Sequence, residues 1–126
     1  MLAKNLDVFY GKYDFTESIV TNIGWDPNLL DLLVILDYYW DDLCGQKLVI
    51  RFKNCQKSEI NMPKCSADFS ESEMKAYINS WYTITKCTIE NTDDLFTVRI
   101  KTIDDEPQWL SVVYREIWLE KENLDY

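Results

Sequence analysis

The chain has 126 residues, the size of one domain with its own core. Hydrophobic residues make up 47% and aromatic residues 14%, a composition that excludes a disordered chain. Thirteen Lys and Arg against 22 Asp and Glu leave a net charge of −9, which opposes nucleic acid and anionic membranes and attracts basic proteins.

Histidine is absent, so the side chain that titrates near neutral pH without help is missing. The opening MLAKNLDVFYGKYDF lacks the continuous apolar run of a signal peptide. The longest apolar stretch, residues 29–40, is broken by Asp31 and Asp37 and falls short of the roughly 20 residues of a membrane helix. A soluble, cytoplasmic protein is expected. Cys44, Cys55, Cys65 and Cys87 have no C-x-x-C spacing, and no His is present to complete a mixed zinc site. Reduced thiols are expected, with Cys87 as a small core residue, and neither metal nor cofactor is expected.

In chain order, Asp14 or Thr16 is placed to cap a helix through Ile23, with Gly24 as its stop. Asp26-Pro27-Asn28 is a turn signal. Residues 29–40 then alternate. Leu30, Leu32, Val34, Leu36, Tyr38 and Trp40 share an apolar face, and the opposite face is mixed. Residues 47–53 form a half-buried strand, with Leu48, Ile50 and Phe52 on one side, expected to pair with the previous one as a hairpin. A further short strand runs through Ile60 and Met62 and stops at Pro63. Ser70 caps a short helix carrying Met74, Ala76, Tyr77 and Ile78.

The β pattern resumes at residues 81–90, with a change of phase near Lys86 that a β-bulge would explain. Residues 95–103 follow after the turn Asn91-Thr92-Asp93-Asp94. Residues 109–120 follow after Asp104-Asp105-Glu106-Pro107, with Leu110, Val112, Tyr114 and Trp118 on one face. These three segments read as a meander. The charged tail from Glu120 is expected to fray. The fold class is mainly β: one domain spanning residues 1–126, an antiparallel twisted sheet as a half-barrel or sandwich, with one or two short helices. Its predicted core includes Leu32, Val34, Leu36, Ile50, Phe52, Val98, Ile100 and Val112.

The acidic turns Asp41-Asp42, Asp93-Asp94 and Asp104-Asp105-Glu106 are candidate partner-binding sites. Asp is also an ordinary turn former, and none of these turns has the D-x-D-x-D-G spacing of a calcium loop. Trp40 and Trp109, each beside an acidic turn, are candidate exposed anchors, against the ordinary reading of Trp as core. Asp31 and Asp37 lie about 20 Å apart along one strand, too far to act as a dyad. Each is placed to pair with Arg51, Arg99 or Arg115 across a sheet. No nucleophile motif, phosphate loop, dinucleotide fingerprint or metalloprotease motif is present, so no catalytic residue is assigned.

Residues 26–63, DPNLLDLLVILDYYWDDLCGQKLVIRFKNCQKSEINMP, combine an Asp-containing opening, a long strand and the strand KLVIRFKNC. In this they resemble small bacterial β-rich proteins, including immunity proteins of polymorphic toxin systems. Many such proteins have a His-Asp pair at the start of the first strand, where this chain has Leu30-Asp31. The resemblance implies cytoplasmic residence and, for the immunity subset, neutralisation of a toxin. The expected function is a non-enzymatic, acidic protein-interaction module whose partner is a basic protein such as a toxin, not nucleic acid or membrane. The alternative is a β domain binding a small ligand in an aromatic-lined cavity.

Overall fold

A computed structural model describes residues 2–10, 13–39, 45–62, 68–102 and 108–122. It contains two antiparallel sheets and two helices and is mainly β, as the alternation predicts. The first sheet has the order β1 (Ala3–Lys4), β9 (Glu116–Lys121), β4 (Lys47–Lys53), β3 (Leu32–Asp37), β2 (Ile19–Trp25). The second has the order β5 (Lys57–Ile60), β8 (Leu110–Tyr114), β7 (Leu95–Lys101), β6 (Lys86–Thr92). Helix α1 is a single turn at Asp7–Tyr10, and α2 spans Glu71–Trp81.

The hairpin of β3 and β4 forms as expected, with Val34 opposite Ile50 and Leu32 opposite Phe52. In β3 the burial alternates strictly, and Leu32, Val34 and Leu36 face inward. Period-two alternation places these side chains on one side of the pleat, where the hydrophobic effect buries them. All eight predicted core residues are buried, and they join one cluster with Trp81, Trp109 and Tyr114. The meander of β6, β7 and β8 is also present.

The two sheets are joined where two strands change sheets together. Strand β4 pairs with β9, and their continuations β5 and β8 pair with each other. Lys53 lies opposite Glu116 and Lys57 opposite Val113, so three residues on one strand face two on the other. This one-residue bulge bends the ladder into the second sheet. Arg115 N–H donates to the Lys53 carbonyl (3.2 Å) and Gln56 N–H to that of Val113 (2.7 Å), which carries pairing through the corner. Asn54 takes the left-handed conformation there, φ 49°, which Asn tolerates better than most residues.

The corner changes the inward face of the last segment. Leu110, Val112 and Tyr114 point inward before it, and Ile117 and Leu119 after it. Trp118 therefore lies on the outer face, not with Leu110 as a continuous strand would require.

Four further expectations are corrected. The helix through Ile23 is strand β2, because Ile19, Val20, Thr21 and Ile23 are β-branched and β3 offers a free flank. Glu17, at φ 71°, also interrupts any helix there, and the Asp14 carboxylate instead closes a local turn by accepting from Thr16 N–H (2.9 Å). Gly24 sits within β2 rather than at a helix end. Leu30 is exposed rather than inward, because β3 begins only at Leu32. The phase change near Lys86 is not a bulge: residues up to Trp81 belong to α2, and β6 starts at Lys86. Pro63 and the last four residues of the tail lie outside the described residues.

Helix α2 starts where Ser70 predicts. Ser70 Oγ accepts from Glu73 N–H (3.2 Å) while Glu73 Oε1 accepts from Ser70 N–H (3.3 Å), a reciprocal capping box. The helix is otherwise exposed and is anchored by Trp81, whose ring stacks on Tyr77 at 6.2 Å. Replacing Ser70 by Ala should therefore weaken α2 by about 1 kcal/mol. Hydrogen exchange should report faster exchange along α2, with protection of β3 and β4 unchanged.

Candidate functional site

Of the expected partner-binding residues, Trp40, Asp41, Asp42, Asp104, Asp105 and Glu106 lie outside the described residues. Asp93 and Asp94 are exposed at the two-residue turn between β6 and β7. Asp93 has φ 55°, a conformation that Asp tolerates and tight hairpins use, so its place there is explained by turn geometry as well as by charge.

Trp109 is not an exposed anchor. It is 1% exposed and meets Tyr82 edge-on at 5.9 Å. It immediately precedes β8, and Asn61 N–H donates to its carbonyl (2.9 Å), which extends the pairing of the β5–β8 edge. Its large apolar ring is better served by the core than by water, even next to a turn rich in carboxylates.

The outer face of the first sheet carries the densest charge network of the described chain. Asp31 precedes β3 and is 5% exposed. Its Oδ2 receives Lys53 Nζ at 3.0 Å and Arg51 Nη1 at 3.3 Å, and its Oδ1 receives Asn54 N–H at 3.2 Å. Burial pushes this carboxyl upward, but the Lys53 and Asn54 hydrogen bonds and the adjoining positive charges outweigh it and hold the group below its ordinary value. Arg51 Nε also reaches Glu120 at 3.0 Å. Asp37 pairs with Lys47 at 3.0 Å, and Arg99 with Glu90 at 2.9 Å. Asp31 therefore has the Arg51 pairing that its position suggested, and Asp37 and Arg99 pair with other residues.

Trp118 lies in the same network. Its indole N–H donates to Glu116 at 2.7 Å, and the ammonium groups of Lys53 and Lys4 sit 4.6 and 5.8 Å from its ring centre. Lys4 also binds Glu116 at 2.8 Å. The hydrogen bonds from Lys4 and Trp118 lower the Glu116 carboxyl below its ordinary value. Both carboxylates, Asp31 and Glu116, are thus held charged at neutral pH. That suits ion pairing and opposes general-acid chemistry, which needs a raised carboxyl.

The described thiols, Cys55 and Cys87, are free. Cys87 is packed against the core, and burial, reinforced by the Asp14 charge, pushes its thiol up to about 12. Burial also raises the Cys55 thiol, although its Sγ lies 3.6 Å from the Lys57 carbonyl. Cys44 and Cys65 lie outside the described residues. Among the described residues, no three His, Cys, Asp or Glu side chains gather as a metal site, and no helix is long and apolar enough to cross a membrane.

Two openings, of about 480 Å³ beside the start of α2 and about 330 Å³ beside β2, are surface grooves. A smaller opening, of about 120 Å³, has Phe9, Tyr10, Tyr13 and Phe15 in its lining, and much of the aromatic set packs ring on ring. Tyr38 meets Phe15 at 5.9 Å, and Phe52 meets Tyr114 at 5.1 Å.

One group of exposed apolar residues lies at the β2–β3 connection, and others stand at Leu6, Tyr10, Tyr39 and Met62. Trp25 is 47% exposed, Leu29 72% and Leu30 57%. The Asp26 carboxylate shapes this turn by accepting from Leu30 and Asp31 N–H groups, each at 3.0 Å. The two adjacent leucines after Asp-Pro-Asn were the available signal, but they read as the start of the strand. The chain matches no family model, and comparison with curated proteins finds no match.

Proposed function

We propose that this chain is a non-enzymatic, acidic protein-interaction module of the immunity-protein type, which binds and neutralises a basic protein toxin such as a nuclease in the bacterial cytoplasm. The observation that carries this reading is the net charge of −9. A field of that sign and size speeds encounter with a positive patch and opposes binding to phosphate backbones. The aromatic-lined opening beside Phe9, Tyr13 and Phe15, about 120 Å³, is smaller than the roughly 300 Å³ at which ligand pockets begin and lends less support to a ligand cavity.

The test takes as partner a basic toxin domain that the purified protein captures from among the products of genes neighbouring its own, and capture of none counts against the reading. The association rate of the two, measured by stopped flow over a series of NaCl concentrations, should fall steeply as salt rises. Replacing Asp93 and Asp94 by Asn should slow association and flatten that dependence, with little change in dissociation. Association indifferent to salt, or tight binding to nucleic acid in place of the toxin, would overturn the reading.

A further inference from the structure

We propose that β2 is a docking strand, and that residues 21–25 together with the β2–β3 turn receive an extended segment of a basic protein as an added strand. This rests on the basic-partner reading above and locates its binding surface.

An open sheet edge presents unpaired backbone donors and acceptors, and proteins usually blunt such edges. Four strands end the two sheets here: β1, β2, β5 and β6. Strand β1 has two residues. Strand β5 has four and carries the exposed Lys57–Glu59 ion pair at 3.0 Å. Strand β6 begins with Lys86, and residues 13–16 lie beside its Cys87 and Ile89. Strand β2, IVTNIGW, differs from all three: it has seven residues with no charge and no proline, its one irregularity being a bulge against β3 between Val20 and Asn22, with regular pairing from Asn22 to Trp25. Its start is tied to the chain after α2, where Val20 N–H donates to the Tyr82 carbonyl at 2.8 Å and Ile19 bridges Thr83. Beyond Val20 no described strand pairs with its outer side.

The same edge offers apolar contact. The groove of about 330 Å³ runs along Val20, Thr21, Asn22 and Ile23 to Tyr82. At its far end Trp25, Leu29 and Leu30 stand exposed. Leu29 has φ 61°, a conformation that a branched side chain rarely adopts, so the turn holds an apolar side chain in water at a conformational cost. Main-chain pairing along the edge and anchoring of alternate side chains are the two elements of strand addition.

Charge selects the occupant. Between Lys12 and Lys47 the sequence has no Lys or Arg, while it carries Asp14, Glu17, Asp26, Asp31, Asp37, Asp41 and Asp42. Strands β2 and β3 both lie in this stretch. Asp31 and Asp37 are answered by cations from β4, whereas Glu17, just before β2, is exposed. A second copy would bring the same excess of negative charge to the edge, so self-pairing is opposed. A segment alternating basic and apolar residues satisfies the backbone, the groove and the field together.

The probe is a short N-acetylated peptide alternating lysine with valine, added to the ¹⁵N-labelled full chain. The amides of residues 21–25 should shift and gain protection from exchange, and added salt should weaken the effect. A matched peptide with glutamate for lysine should leave them unchanged. The double variant Trp25→Ala, Leu29→Ser, altered only at exposed positions, should keep its fold and bind the lysine peptide roughly tenfold more weakly. Shifts confined to other surfaces, or no shifts, would overturn the docking strand, while the salt series on the toxin decides the basic-partner reading separately. Concentration-dependent protection of the same amides without peptide would make a second copy the occupant and equally overturn the proposal.

Discussion

Phe52→Ala should destabilise the protein by about 3–5 kcal/mol, the largest effect expected of any single truncation considered. Phe52 is fully buried in β4, between Leu32 of β3 and Ile117 of β9. Its ring meets Tyr114 of the second sheet at 5.1 Å, one residue before the corner where β4 and β8 leave their sheets. The substitution removes apolar area and leaves a void between sheets that backbone pairing on both sides keeps from collapsing. Leu36→Ala, within β3 alone, should cost about 2–5 kcal/mol. Ile60, at the exposed end of β5, should tolerate the same change within about 0.5 kcal/mol. Urea unfolding of the three variants reads these differences, and wild-type midpoints for Phe52→Ala and Leu36→Ala would contradict the assigned core.

Asp31→Asn should cost about 1–3 kcal/mol and change the acid limb of stability. The substitution keeps the shape and removes the charge that answers Lys53 and part of Arg51, which retains Glu120. The Asp31 carboxyl is lower in the folded protein than its ordinary value of 3.8. Between the folded value and 3.8 the unfolded chain binds more protons, so stability rises with pH in that window. The contribution is complete above the unfolded value and is lost as pH falls through the folded one. Wild-type stability should therefore drop at the acid end more steeply than that of Asp31→Asn. Denaturant titrations at stepped pH check this, and parallel acid limbs would show that Asp31 is not held by its cations.

Local pattern was a good guide to side-chain direction within a strand. Leu32, Val34 and Leu36, then Ile50 and Phe52, then Val98 and Ile100 all point inward as their alternation predicts. Ser70 and Glu73 likewise specify the start of α2 through contacts three residues apart. Where a segment's state depended on a distant partner, pattern was a poor guide. Residues 19–25 carry both a helix-cap signal upstream and β-branched residues within, and the free flank of β3 decides in favour of strand. Trp109, expected as an exposed anchor, enters the core, while Trp25 at the end of β2 stands exposed. Nothing in the neighbouring residues states which sheet each segment joins.

The sequence by itself determined the β class, the inward faces of β3, β4 and β7, the acidity and the absence of histidine, because these follow from composition and from periodicities of two to four residues. Only the tertiary structure decided that 109–120 is two strands in two sheets, that Asp31 meets Arg51 and Lys53 from β4, and that β2 is left as an edge. Each of these depends on pairing between residues far apart in the chain. Such register is set by the combined burial of many side chains and by the bulge at the corner, which no short window of sequence contains.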